Sequence, residues 1–580
     1  MDGNHTVQSV TGAGPGTPVR VDGGLTVRTA HDGPVRLTVI GTCGASQQEL
    51  HTALGAVHAG RWEEVTLWPG SYWAIADRDG ERLICGDLAS VRAVFYTTDG
   101  PLPRWATRAA DLATAPADLA LLTARLVATD HWPDRSPYPR VRAVPGGHAL
   151  LLTRAGLVRL VDVTAVPDRR SLAEGAPAFG QALTDAVSLR MRTGHGPAGA
   201  DLSGGLDSST TVLLAAPLGE IQAVTYSDPY TSSEDTAFAV RVAEQAGVAH
   251  HIATGGPAQL PFDLPDGAPA GDEPCLDAAN AAMDAAYLAP VTGLRCHLTG
   301  HGGDVVLHVS SARLVGLLQA GQRHRAHRQV VAWARRQNTV PGPLWRQVQE
   351  ASAGYPYALA QAAAQIAAGR IPAHGRVNVW SWLQLGTAAS WLTGQGREAV
   401  ADLLRQAAHQ AKDMAAPEFA QWDSLRFTGS TARAAAPLDA FHQVRPEHPF
   451  LDNRVVRAAF AIDAFDRYST TSYKPLLAAA LPALPTWLTG RRSKGDFTAW
   501  RLAGLARHLP RLRELVRTSP LAATGLLDAD AAVRSLEILA RGERSAGLAE
   551  VHMLLAACHW LAHPPRPVPA AEHAEGVTRC

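Results

Sequence analysis

The chain has 580 residues, with 53 basic and 53 acidic side chains and a pI near 7.4, which predicts two or more domains and argues against a nucleic-acid surface. No apolar run reaches membrane-spanning length, and the polar, glycine-rich residues 1–18 do not read as a signal peptide. The six cysteines are scattered with no Cys-x-x-Cys pair, so reduced thiols in a cytoplasmic enzyme are expected rather than a zinc or redox motif.

From about residue 24 to 165 the pattern is β-rich. Apolar or alternating runs predict strands over 36–42, 71–77, 81–85, 93–98, 148–153 and 157–163, with Asp79-Gly80 and Ala155-Gly156 as turns. Helical spacing predicts helices over 47–59 and 106–128, and the whole reads as an α+β domain. From about residue 175 strands alternate with helices. Strands are expected at 198–202, 221–226, 249–252 and 295–298, and helices at 210–216 and 234–246, the latter stopped by Gly247. Residues 255–274, rich in Gly, Pro and Asp, read as a mobile surface loop. Beyond Ser311 the chain reads as mostly helical, and beyond His563 as a disordered end.

Between the strand at 198–202 and its helix stands Ser203-Gly-Gly-Leu-Asp-Ser-Ser209. Gly204 and Gly205 permit a sharp turn that brings N–H groups against an anion, and a helix N-terminus adds its positive end. Ser203, Ser208 and Ser209 offer hydroxyl donors, and Asp207 is poised to hold magnesium between phosphates. No Gly-Lys-Ser/Thr follows, so this is not a Walker loop. It resembles the PP-loop of ATP pyrophosphatases, which cut ATP between its α and β phosphates and adenylate a substrate. The bland alternative is a Gly/Ser turn capping a helix. Parallel sheets bind ligands at the carboxyl ends of their strands, and Leu202, Tyr226, Ser227 and Gly300 stand at such ends as further candidates for the ATP site. Thr299-Gly-His-Gly-Gly-Asp304 occupies another, with glycines for close backbone approach and Asp304 as a second magnesium ligand. Only three of the basic residues are lysine: Lys412, Lys474 and Lys494. A compact ammonium fits beside a phosphate where arginine does not.

With both loops in place, the chain resembles the asparagine synthetase family over almost its whole length. The likeness runs through Gly70-Ser-Tyr-Trp-Ala-Ile-Ala76, Asp87 to Tyr96, Val144-Pro-Gly-Gly-His148 and the two loops. It continues in His448-Pro-Phe-Leu-Asp-Asn-Arg-Val455 and from Tyr473-Lys474-Pro475 to Arg491-Arg-Ser-Lys494-Gly495. The resemblance implies an α+β, glutaminase-like (Ntn) β-sandwich over 1–170 and an α/β parallel-sheet PP-loop synthetase domain, largely helical in its C-terminal part, over 171–565. A disordered tail, 566–580, follows. It also implies ATP with Mg2+ on Asp207 and Asp304, Lys474 on the ATP phosphates, and Lys494 stabilising negative charge during amide formation.

Two departures sharpen the reading. Glutaminases of this type expose a cysteine after Met1 is removed, and its α-amine activates the thiol. Residue 2 is Asp2 and the first cysteine is Cys43, so the N-terminal domain is expected to lack its nucleophile and the amine to come from the substrate. Second, asparagine synthetases carry glutamate at the position of His301 and β-lactam synthetases tyrosine. Thr-Gly-His-Gly-Gly-Asp looks like the lasso-peptide cyclases, which adenylate an Asp or Glu side chain of a precursor peptide. The peptide's own N-terminal amine then attacks and closes a macrolactam. His301 is read either as the base for that amine or as a loop imidazole that bonds backbone. Implied partners are the precursor peptide, a leader-binding protein and a leader protease, without nucleic acid or a membrane span. Segment 255–286 and Trp380, Trp382 and Trp391 are candidate walls of a peptide site, while Arg445, Glu447 and His448 read as packing residues. The alternatives are a β-lactam synthetase-like enzyme, a glutaminase-deficient asparagine synthetase relative, and a non-catalytic scaffold.

Overall fold

Period-two alternation builds the N-terminal region. The computed structural model describes residues 8–564 and 578–579, except 129–130, 166–168, 266, 268, 371–379, 384, 470–472, 492–494 and 544–546. Two six-stranded antiparallel sheets face each other. Ile40, Trp73, Ile75, Ile84, Leu150 and Leu152 point into the sandwich and meet Val10, Val94 and Trp105 of the other sheet. Their chain neighbours Leu37, Val39, Tyr72, Ala74, Leu83 and Leu151 point the other way, onto helix Gln47–Ala59. That helix starts with a capping box, Ser46 with Glu49, and ends at Gly60 in the left-handed region. Asp79 and Gly80 both have positive φ, as a tight hairpin turn between Gly70–Arg78 and Glu81–Cys85 requires.

The expected helix over 106–128 is corrected. Residues Arg104–Ala106 are strand, Ala109–Asp111 a single 3-10 turn, and only Leu119–Ala128 is α-helix. Pro116 interrupts the run, and the Asp118 carboxylate takes the Leu121 N–H at 3.0 Å, which starts the helix late. Residues 255–274 are not a surface loop either. Phe262 and Leu264 are buried in the helical core, because the polar stretch carries a Leu-Pro-Phe-Asp-Leu run that alternates apolar side chains.

The second region holds a five-stranded parallel sheet in the order Ala249–Thr254, Ile221–Ser227, Ala198–Asp201, His297–Leu298, Pro446–Glu447. The chain winds outward from Ala198–Asp201 in both directions, so the topological switch point lies beside that strand. Helices Leu172–Arg192, Leu206–Ala215 and Ser233–Ala246 cover the sheet through an Ala- and Leu-rich core. Beyond it the described residues are mainly helical, as expected. Trp382 and Trp391 are core residues at 3% and 0% exposure, packed in two separate helical clusters. The expected disordered end falls outside the described residues except for a two-residue strand, Thr578–Arg579, paired with Arg20–Asp22.

Residues of the 446–457 stretch tie the two regions together. Arg190, fully buried, makes 2.9 Å ion pairs with Glu447 and Asp452. Glu447 also accepts from Thr42, Asn453 accepts the Leu88 N–H, and Arg457 reaches the Val163 carbonyl.

Candidate active site

The loop after strand Ala198–Asp201 turns where only glycine fits. Gly204 has φ +74°, and a Cβ there would lie 2.1 Å from the Asp235 carbonyl oxygen. Gly205 caps the following helix with no side chain, leaving its first-turn N–H groups directed at the loop. The helix begins at Leu206, four residues before the position expected, which puts Asp207 on its first turn. Ser203 and Ser208 hydroxyls bond each other at 3.0 Å and the Ser208 hydroxyl takes the Ser203 N–H. Leu202 and Ser209 are fully buried beneath the loop. Tyr226 and Ser227 close the neighbouring strand, with the Tyr226 ring against Trp500.

The second glycine loop is pressed directly on the first. A Cβ on Gly300 would lie 2.6 Å from the Ser208 nitrogen, and one on Gly303 would lie 2.4 Å from Asp207 Cγ. Gly302 turns with φ +89° against Leu451. These approaches bring Asp207 and Asp304 onto one cation. Lys474 Nζ lies 2.7 and 2.5 Å from the two Asp207 oxygens and 2.7 Å from Asp304 Oδ1. Burial would lower the Lys474 ammonium, but the two carboxylates outweigh it and raise its pKa, so it stays charged. Its backbone is left-handed at φ +55°.

His301 sits between these glycines. Its N–H donates to Thr299 Oγ1 at 3.2 Å, and its ring Nε2 lies 3.0 Å from the Thr428 carbonyl oxygen. A carbonyl only accepts, so Nε2 carries the proton and Nδ1 is the basic nitrogen of the neutral ring. Thr299 Oγ1 in turn donates to His448 Nδ1 at 2.8 Å. Burial, and then the charges of His301 and Arg190, hold His448 well below the usual imidazole range, so it accepts as a neutral ring. The backbone-bonding alternative for His301 and the basic role are therefore compatible in one tautomer.

Beside His301 lies a group of carboxyls that sequence reading missed. Asp277 is exposed and within electrostatic reach of His301 and Arg501. Asp284 and Asp439 are pushed up by burial and then by Asp277, Asp439 to about 7. Asp201, by contrast, is held below the ordinary range: burial would raise it, but His297 at 2.7 Å and the Tyr287 hydroxyl stabilise its charge. Arg491 was also missed as a loop-holding residue. It donates to the Gly204 carbonyl and pairs with Asp235, which also takes the Gly495 N–H at 3.1 Å. Its only sequence signal was membership of the 491–495 run. Lys494 lies outside the described residues.

Two carboxylates that already share one cation suit Mg2+, which takes one or two protein carboxylates and completes its shell with phosphate and water. The uncapped helix beside them suits a pyrophosphate. Among the described residues no helix is long and apolar enough to cross a membrane. A family model described as asparagine synthase matches residues 178–562, two thirds of the chain. No curated protein matches it.

Proposed function

Since the chain belongs to the asparagine synthase family, whose members are ATP-dependent, AMP-forming C–N ligases, we propose that it is a peptide macrolactam synthetase of the lasso-cyclase kind. In this reading an Asp or Glu side chain of a precursor peptide is adenylated with release of pyrophosphate. The peptide's N-terminal amine then displaces AMP and closes the ring.

MgATP supplies the activation of the carboxyl group. Asp207 and Asp304 would hold the metal, and the Gly204–Ser208 backbone would hold the phosphates. Lys474 neutralises the carboxylate pair and remains within reach of the same charges. Lys494 is proposed to stabilise the negative charge that develops during amide formation and pyrophosphate loss. His301 Nδ1 takes the proton from the attacking ammonium, while Thr428 fixes the ring through Nε2.

The observation that carries this reading is His301, whose ring is held through Nε2 by the Thr428 carbonyl so that Nδ1 is the nitrogen left to take a proton, in the glycine loop that leads into Asp304. A second supports an amine from the substrate itself. The cysteines of the N-terminal region are Cys43 and Cys85, and burial pushes their thiols up to about 11 and about 12, away from nucleophilic use.

The test supplies purified protein with MgATP and candidate core peptides from the same gene neighbourhood, leaders removed, and follows products by mass spectrometry. A peptide lighter by one water, with AMP, is the expected result, and Asp207→Ala abolishes both. AMP formation driven only by β-amino acids would replace this reading with the β-lactam type. No turnover with any substrate would favour the scaffold.

A further inference from the structure

Helix Leu119–Ala128 precedes the parallel sheet by some eighty residues, yet its apolar side chains join a core of the second region. Its Leu121, Leu122, Leu126 and Val127 share one core with the helices Gly394–Gln410, Ala529–Ala540 and Leu548–Ala562. Where this helix, residues 273–276, helix Ala416–Phe441 and helix Leu548–Ala562 converge, they leave a cavity. Its empty space, open solvent at the mouth included, is about 730 Å³. Nine of its thirteen lining residues are apolar, Leu122, Leu126, Leu276, Phe427 and Met553 the largest, with Arg125, Glu273, Ser430 and Thr431 the polar ones. Phe427 is 39% exposed, a large apolar side chain left at the mouth.

This cavity is wired to the reaction centre through one carbonyl. Thr431 lines it, and the Thr431 hydroxyl donates at 2.8 Å to the Thr428 oxygen that also receives His301 Nε2–H. Leu276, another wall, directly precedes Asp277, whose carboxylate feels the charge of His301. What fills the space is therefore joined to what reacts at His301. An apolar lining of this size suits a bulky side chain of a peptide and is poorly matched to a free polar amino acid.

We infer that this cavity receives an apolar side chain of the peptide substrate, so that the N-terminal region serves as a wall of the acceptor site. This rests on the macrolactam reading. It assigns that region a structural share in substrate selection that owes nothing to glutamine hydrolysis.

The experiment measures peptide turnover by wild type, Met553→Trp, which fills the cavity, and Met553→Leu, which conserves its volume. Met553→Trp should raise the peptide KM about tenfold or more with the ATP KM unchanged, and Met553→Leu should behave as wild type. In the wild-type enzyme, exchanging apolar peptide residues one at a time for Asp should raise KM about tenfold or more at one position. Unchanged peptide KM in Met553→Trp, or equal KM at every peptide position, overturns the inference while leaving the macrolactam reading intact. Absence of any peptide turnover by wild type overturns both.

Discussion

At the level of single residues, Lys474 shows how far chemistry is readable from rarity. Being one of only three lysines in an arginine-rich chain marked it, but its place between Asp207 and Asp304 depends on a left-handed backbone that no pattern announces. Lys474→Met leaves two close carboxylates without their cation, and we expect kcat to fall by about a hundredfold or more. ATP–pyrophosphate exchange checks this. Asp439 permits a pH prediction. Its carboxyl is raised from 3.8 to about 7, so the folded state binds a proton that the unfolded state releases earlier. The contribution to stability is present below about pH 4 and is lost as pH rises through about 7. Asp439→Asn should flatten the fall in melting temperature across that window. A slope identical to wild type would show that Asp439 is not the group responsible. The carboxyl group itself was invisible in sequence, because Asp439 comes more than 150 positions after Asp277 and Asp284.

Among the elements, strands and caps were legible where their signals are local. The 47–59 helix carries its capping box and stop glycine, and the hairpin at Asp79-Gly80 carries its turn residues. The 106–128 run was misread because apolar spacing outvoted Pro116. The glycine loops were recognised as motifs, but their mutual contact was not, since it joins residues from two strands of the sheet. That contact makes a definite prediction. In Gly204→Ala the new methyl group meets the Asp235 carbonyl and the backbone keeps a strained φ, so stability should drop by about 1–3 kcal/mol. Denaturant unfolding measures the loss, and AMP formation should vanish with it.

Across the whole molecule, the two regions share apolar core and hydrogen bonds from a stretch that a buried ion-pair set anchors within the second region. Arg190 is sealed between Glu447 and Asp452, and the neighbouring Asn453 and Arg457 hold backbone of the sandwich. Removing one partner of such a buried set leaves an uncompensated charge. Arg190→Met should therefore cost about 3–5 kcal/mol in urea unfolding, against little change for an exposed arginine such as Arg140. Gly429 lies so close to the Ala89 carbonyl that a Cβ would fall 1.7 Å from it, which ties the long helix Ala416–Phe441 to the sandwich at the same seam.

The sequence by itself determined the chemistry on offer: two glycine loops at strand ends, two carboxylates, scarce lysines and a histidine where relatives carry other residues. These are local signals, set by backbone conformations and side-chain types within a few neighbouring positions. Only the tertiary structure decided that Lys474 bridges both carboxylates, that Thr428 fixes the His301 tautomer, and that helix Leu119–Ala128 leaves its own region to wall a cavity. Each of those joins residues more than a hundred positions apart, and such contacts are chosen by global packing, for which one sequence carries no local mark.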